Sequence, residues 1–129
     1  RKIFGAAKIY DTRSGIDPNF PEELLKDPEL LKIIDAGQEY GTTTGRKRKV
    51  NWLNLDKLIQ AINITGTTDL IISKTDVLEN VNIYKLYYND ELKSFPDISR
   101  LQQFISYILS LNCSSILTNI KYSNTPHGI

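Results

Sequence analysis

Short apolar runs alternate with segments of helical periodicity along this chain, and that alternation admits few folds. Lys2 to Tyr10 carries Ile3, Phe4, Ala6, Ala7 and Ile9 in close succession and reads as a buried strand. Gly15, Pro18 and Pro21 make Asp11 to Pro21 a loop. Asp27-Pro28 opens a helix, with Asp27 as N-cap and proline at the first helical position. Leu30, Leu31, Ile33 and Ile34 form its apolar face, and Gly37 fits its C-terminal stop. Trp52 begins a second helical pattern with Asn54 as N-cap, followed by Leu55, Leu58, Ile59 and Ile62 at helical spacing, and Gly66 ends it. Leu70 to Ile72 is a short buried strand, and Asn82 to Tyr88 alternates well enough for another. Pro96-Asp97 announces a third helix, with Leu101, Phe104, Ile105, Ile108 and Leu109 on one face. Ser115 to Lys121 is a last strand, and Ser123 to Pro126 turns away from it. The expected class is α/β, with helices flanking a mixed, largely parallel sheet. Ligands of such sheets sit beyond the C-terminal ends of strands, where Ser73 to Asp76 and Ser123 to Pro126 form two polar turns.

At 129 residues the chain is one domain's worth, long enough for a core. Its net charge of +1 creates no global field for nucleic acid or membrane. No apolar stretch is long enough to span a bilayer, and no signal peptide opens the chain. Cys113 is the single cysteine, which excludes an internal disulfide; at the end of a helical apolar pattern it reads as a buried thiol. One cysteine and one histidine, His127, cannot build a zinc site. A start at Arg1, with a strand already under way, reads as a piece of a longer polypeptide.

The chemistry concentrates in Glu39-Tyr40-Gly41-Thr42-Thr43-Thr44-Gly45-Arg46-Lys47-Arg48-Lys49. Glycines let the backbone approach a ligand closely, and threonine hydroxyls and backbone N–H groups donate to carboxylate or phosphate oxygens. Arg46 and Arg48 can each add a bidentate fork. The segment is suited to wrapping an anion. It also reads as an ordinary turn followed by a solvated charge run, or as a basic nucleic-acid patch. A second motif, Ser73-Lys74-Thr75-Asp76, follows the strand at Leu70 to Ile72. Guanine presents two adjacent donors that one carboxylate, Asp76, can accept together; adenine lacks that donor pair. The aliphatic stem of Lys74 can lie across a purine face. Taken alone, a Lys and an Asp two apart are more often simply solvated.

In this order, Glu39 to Arg46, Arg48, Trp52 and Lys74-Thr75-Asp76-Val77-Leu78 resemble the adenylosuccinate synthetase family. Lys8, Tyr10, Thr12, Arg13 and Gly15 are similar to that family's Lys-Ala-Tyr-Thr-Thr-Arg-Val-Gly segment. Phe20-Pro21-Glu22 is similar to its Phe-Pro-Thr-Glu, and Ser123 to Pro126 to its Ser-x-Gly-Pro. The resemblance implies that residues 1–129 are the C-terminal segment of a P-loop-like α/β domain whose N-terminal phosphate-loop half is absent. It implies a cytoplasmic enzyme, a homodimer, that joins L-aspartate to C6 of IMP using GTP and Mg²⁺ through a 6-phosphoryl intermediate. Thr42, Thr43, Thr44, Gly45, Arg46, Lys47 and Arg48 would form the aspartate loop, with Arg46 also on the IMP side and Arg48 on the GTP phosphates. Lys74, Thr75 and Asp76 would hold the guanine, and Ser123, Asn124 and Thr125 would close over it. Glu39 and Tyr40 would shape the loop, and Trp52 would belong to the core. The family's catalytic aspartate and histidine have no counterpart here, so neither catalytic groups nor metal ligands are expected in this segment.

The departures from the family pattern are Asp11 in place of a threonine, Lys47 in place of a proline or arginine, and Thr125 in place of a glycine. The short stretch from Leu78 to Ser123 is similar to archaeal and viral forms. A phage branch uses dGMP instead of IMP, and some members accept ATP or dATP; a viral enzyme would work in host cytoplasm. A non-catalytic nucleotide-binding module is the reading from another class. A nucleic-acid binder through Arg46 to Lys49 is disfavoured by the near-zero net charge.

Overall fold

The structure, a computed structural model, describes residues 2–13, 21–40, 48–113 and 115–124. The elements run β1 (Phe4–Lys8), β2 (Tyr10–Arg13), a 3-10 turn (Glu22–Lys26), α1 (Pro28–Gly37), β3 (Lys49–Asn54) and α2 (Leu55–Thr65). They continue with β4 (Asp69–Ser73), α3 (Thr75–Val81), β5 (Tyr84–Tyr88), β6 (Glu91–Phe95), α4 (Ile98–Cys113) and β7 (Asn119–Tyr122). β1, β4 and β7 form a parallel three-stranded sheet in the order β1-β4-β7, and a mixed sheet runs β2-β3-β5-β6. Among the described residues, three of the five strand pairings are parallel, as the alternation of elements predicts.

Local signals account for the long helices. Asp27 Oδ1 accepts from the N–H groups of Glu29 and Leu30, which satisfies two of the orphan donors at the start of α1. Asn54 does the same for Lys57 N–H at the start of α2. Gly66, at φ 72°, ends α2 in the left-handed region. Leu101, Ile105, Ile108 and Leu109 put one face of α4 into the core, where Ile33, Ile34, Leu55, Ile72, Leu78 and Leu86 are also buried.

Several expectations are corrected. Lys2 to Tyr10 is not one buried strand: β1 ends at Lys8, and Tyr10 joins the other sheet opposite Trp52. Phe4 is 70% exposed because β1 pairs only with β4 and no described element covers its outer face. Asp11 to Arg13 are strand β2 rather than loop. Trp52 lies in β3, buried in the core as expected, and the helix begins only at Leu55. Gly37 is the last residue of α1, and the left-handed position after it is taken by Gln38 at φ 53°. The turn at Ser73 to Asp76 leads straight into α3, whose seven residues are too few to show a helical period. β6 pairs with β5 through Asn89 and Asp90, both at positive φ, the signature of a tight hairpin. The last strand starts at Asn119, not Ser115. Cys113 is buried, and burial pushes its thiol up. Among the described residues no helix is long and apolar enough to cross a membrane.

Candidate functional site

The three parallel strands end together. Lys8 stands opposite Ser73, and Ile72 opposite Tyr122. Ile9 N–H donates to Ser73 O at 3.0 Å, and Ser123 N–H donates to Ile72 O at 2.8 Å. The segments that follow β4 and β7 are therefore side by side at the C-terminal edge of the sheet. There Thr75 N–H donates to Ser123 O at 3.2 Å, and Thr75 Oγ1 donates to Asn124 Oδ1 at 2.7 Å. Two motifs read separately along the chain, Lys74 to Asp76 and Ser123-Asn124, are one structure.

Asp76 sits in the first turn of α3, and its Oδ1 is buried with no hydrogen-bond partner among the described residues. An unsatisfied buried carboxylate oxygen is costly and calls for an explanation, of which a ligand's donor is one. Lys74 adopts the left-handed conformation at φ 66°, ψ 30°, a strain that non-glycine residues carry at about 1–2 kcal/mol. Its ammonium donates to Gly37 O at 3.2 Å and lies 3.5 Å from Glu39 Oε2. The Lys74 stem is thus held taut between α3 and the end of α1.

Glu39 is the hub of this edge and is 1% exposed. The Tyr10 hydroxyl donates to its Oε2 at 2.6 Å. Lys8 Nζ is 3.4 Å from both carboxylate oxygens, and Arg48 Nη1 is 3.4 Å from Oε1. Arg48 N–H also donates to Glu39 O at 2.9 Å, which ties together the two ends of the threonine/arginine loop. Burial alone would raise the Glu39 carboxyl; the Tyr10 hydroxyl and the charges of Lys8 and Lys74 outweigh it and hold the group below the usual carboxylate range. Burial and the Glu39 bond push the Tyr10 hydroxyl far above its ordinary value, so it stays a donor. Three cations meet the Glu39 carboxylate, and the Asp76 carboxylate is near enough to help raise the Tyr10 hydroxyl, so these five charged groups together keep a single surplus positive charge.

Beside this cluster lies a cleft of ≈ 330 Å³ whose walls include Lys8, Asp11, Thr12, Arg13, Asn54 and Lys57. A second cleft of the same size shares Asp11, Asn54 and Lys57 and adds Trp52, Tyr87 and Asp90. Asp11, the departure noted in the sequence, stands between them and accepts from Asn54 N–H at 3.3 Å. Burial raises its carboxyl, and the Asn54 N–H, Arg13 and Lys57 offset that only in part.

Of the predicted site residues, Arg48, Lys74, Thr75, Asp76, Ser123 and Asn124 are described and gather at this edge. Thr42, Thr43, Thr44, Gly45, Arg46, Lys47 and Thr125 lie outside the described residues, as does His127. The sequence assigns no ligand role to Glu39, Tyr10 or Lys8; its one signal for them is a single acid placed between a helix end and a cationic loop. Among the described residues no group of three or more Asp, Glu, His or Cys side chains stands together to hold a metal ion.

A family model described as adenylosuccinate synthetase matches residues 1–113. An adenylosuccinate synthetase of Syntrophomonas wolfei is 44% identical over 74% of this chain and 23% of its own length. One from Meyerozyma guilliermondii is 37% identical over 99% of this chain and 32% of its own. The chain therefore spans a third or less of the length of these relatives. The fold matches a solved structure of fully ligated adenylosuccinate synthetase from Plasmodium falciparum with a TM-score of 0.69, at 21% identity, over 93% of this chain and 36% of that one. With the family match covering most of its length, the chain belongs to the adenylosuccinate synthetase family.

Proposed function

We propose that this protein takes part in joining L-aspartate to C6 of IMP with GTP as phosphoryl donor, giving adenylosuccinate. The γ-phosphoryl group of GTP passes to the 6-oxygen of IMP, and the aspartate amine then displaces that phosphate. Positioning and charge neutralisation dominate such chemistry. The observation that carries the reading is the buried, unpartnered Oδ1 of Asp76 beside the Thr75–Asn124 pair. Asp76 would accept the two adjacent guanine donors, with the Lys74 stem across the ring. Ser123, Asn124 and Thr125 would close over the base. Arg48, anchored on Glu39, would face the GTP phosphates. Thr42 to Arg48 would hold the aspartate carboxylates, and Arg46 would also reach the monophosphate substrate.

Residues 1–129 would in this reading bind parts of the ligands and leave the acid and base steps to other groups. Mg²⁺ is expected to accompany the triphosphate; the described residues supply no ligand cluster for it, so the roles above involve the chain's own side chains only. A homodimer and a cytoplasmic setting belong to the same proposal.

The test is phosphate release by the intact gene product with aspartate, Mg²⁺ and GTP, comparing IMP with dGMP. Turnover with IMP supports the proposal. Turnover with dGMP alone transfers it to the phage-type reaction. GTP binding without turnover on either substrate replaces it with a non-catalytic nucleotide-binding module.

A further inference from the structure

Glu39 has no ligand role in the proposal above, yet four side chains converge on it from four places in the chain. Lys8 ends β1, Tyr10 starts β2, Arg48 leads into β3 and Lys74 precedes α3. A buried carboxylate needs compensation, but three cations exceed what neutrality requires, and ion clusters of this kind are weak sources of stability compared with apolar packing. Geometry is what the cluster supplies. Oε1 faces Lys8 and Arg48, and Oε2 faces Lys8, Tyr10 and Lys74. Arg48 and Lys74, 26 positions apart in the sequence, are held on the two oxygens of one rigid group. The Tyr10 hydroxyl fixes the carboxylate's own orientation.

We propose that Glu39 is a positioning residue that locks Arg48 and Lys74 in mutual register, so that phosphate binding and base reading become one coupled event. This rests on the nucleoside triphosphate site proposed above. Lys74 is held in a strained conformation that an exposed, untethered lysine would have little reason to keep. Its side chain is 16% exposed, and its ammonium is engaged by Glu39 and Gly37 O.

The experiment is a double-mutant cycle on the intact gene product, with the affinity for GTP read by calorimetry. Glu39→Gln keeps the size of the side chain and an acceptor for Tyr10 but removes the charge. It is expected to weaken GTP about tenfold, to leave the affinity for the monophosphate substrate (IMP or dGMP, whichever turns over) within about twofold, and to keep kcat at saturating GTP within about threefold. In a Lys74→Met background the same change is expected to cost about threefold rather than tenfold, because one of the two cations that Glu39 positions is already gone while Arg48 still depends on it. Full additivity of the two changes overturns the proposal. So does unchanged GTP affinity, or equal weakening of both nucleotides together with a lower melting temperature, which marks a merely structural role. Asp76→Asn separates the underlying reading: unaltered preference for GTP over ATP refutes base recognition by Asp76 while the Glu39–Lys74 coupling stands on its own cycle. A wild-type protein that binds no GTP overturns both.

Discussion

The Tyr10 hydroxyl donates to Glu39 Oε2 at 2.6 Å, and it reaches that carboxylate only because residue 37 has no side chain. A Cβ on Gly37 would collide with the Tyr10 hydroxyl. Gly37→Ala should therefore destabilise the protein by about 1–3 kcal/mol through overpacking. Adding Tyr10→Phe should restore part of that loss, since the clashing oxygen is gone. Thermal melts of the single and double variants decide it; a Gly37→Ala protein as stable as the wild type removes the steric argument.

Asp76→Asn should lower the preference for GTP over ATP. An amide offers one acceptor and one donor, and the donor would face a guanine donor. The loss of a charge-assisted hydrogen bond is about 1.5–3 kcal/mol, or about 10–150-fold in relative affinity. Competitive binding of the two triphosphates measures this directly.

Thr75→Val should uncouple the segments after β4 and β7. Thr75 is buried, and its hydroxyl is the direct link to Asn124 Oδ1 and Ser123 O. The expected cost is about 1 kcal/mol of stability, with weaker GTP binding as Ser123 and Asn124 lose their tether. Faster amide hydrogen exchange at Ser123 and Asn124 would report the release; unchanged protection there counts against the link.

The acid limb of stability should depend on Glu39. Its carboxyl lies below the ordinary glutamate value, so the stability it contributes is complete above that value, about 4.3, and is lost as pH falls through the depressed folded one. Glu39→Gln should flatten the stability profile below about pH 4.3. Denaturant unfolding across that range reads the difference in slope, and parallel profiles would mean another group governs the limb.

Asp11 predicts the opposite sign. Burial raises its carboxyl, so the ionised form present at neutral pH is disfavoured by folding. Asp11→Asn, which still offers an oxygen to Asn54 N–H, should raise the melting temperature near pH 7. The gain should vanish below about pH 3.9, where the wild-type carboxyl protonates in the unfolded chain as well. A variant less stable at neutral pH would show that the negative charge at Asp11 is itself required.

Legibility followed distance along the chain. α1, α2 and α4 were readable because caps such as Asp27 and Asn54 act on N–H groups two or three residues away. β2, α3 and β6 were not, since they are short and mostly polar and hold no unbroken apolar run such as Leu70 to Ile72 that would stand out from their neighbours. Lys74-Thr75-Asp76 and Ser123-Asn124 were visible as separate motifs by their resemblance to a family. That they form one wall depends on the parallel pairing of β4 with β7, which no local pattern encodes.

The sequence by itself determined the α/β class, the caps, the buried Trp52 and Cys113, and the residue types available to read a purine nucleotide. Each rests on periodicity, chemistry or interactions spanning a few residues. Only the tertiary structure decided that one carboxylate, Glu39, gathers Lys8, Tyr10, Arg48 and Lys74, and that Gly37 is needed for space rather than for a left-handed turn. Those contacts join residues far apart in the chain; they exist because strand register and helix packing bring them to one edge, where Coulomb attraction and steric fit act on distance in space.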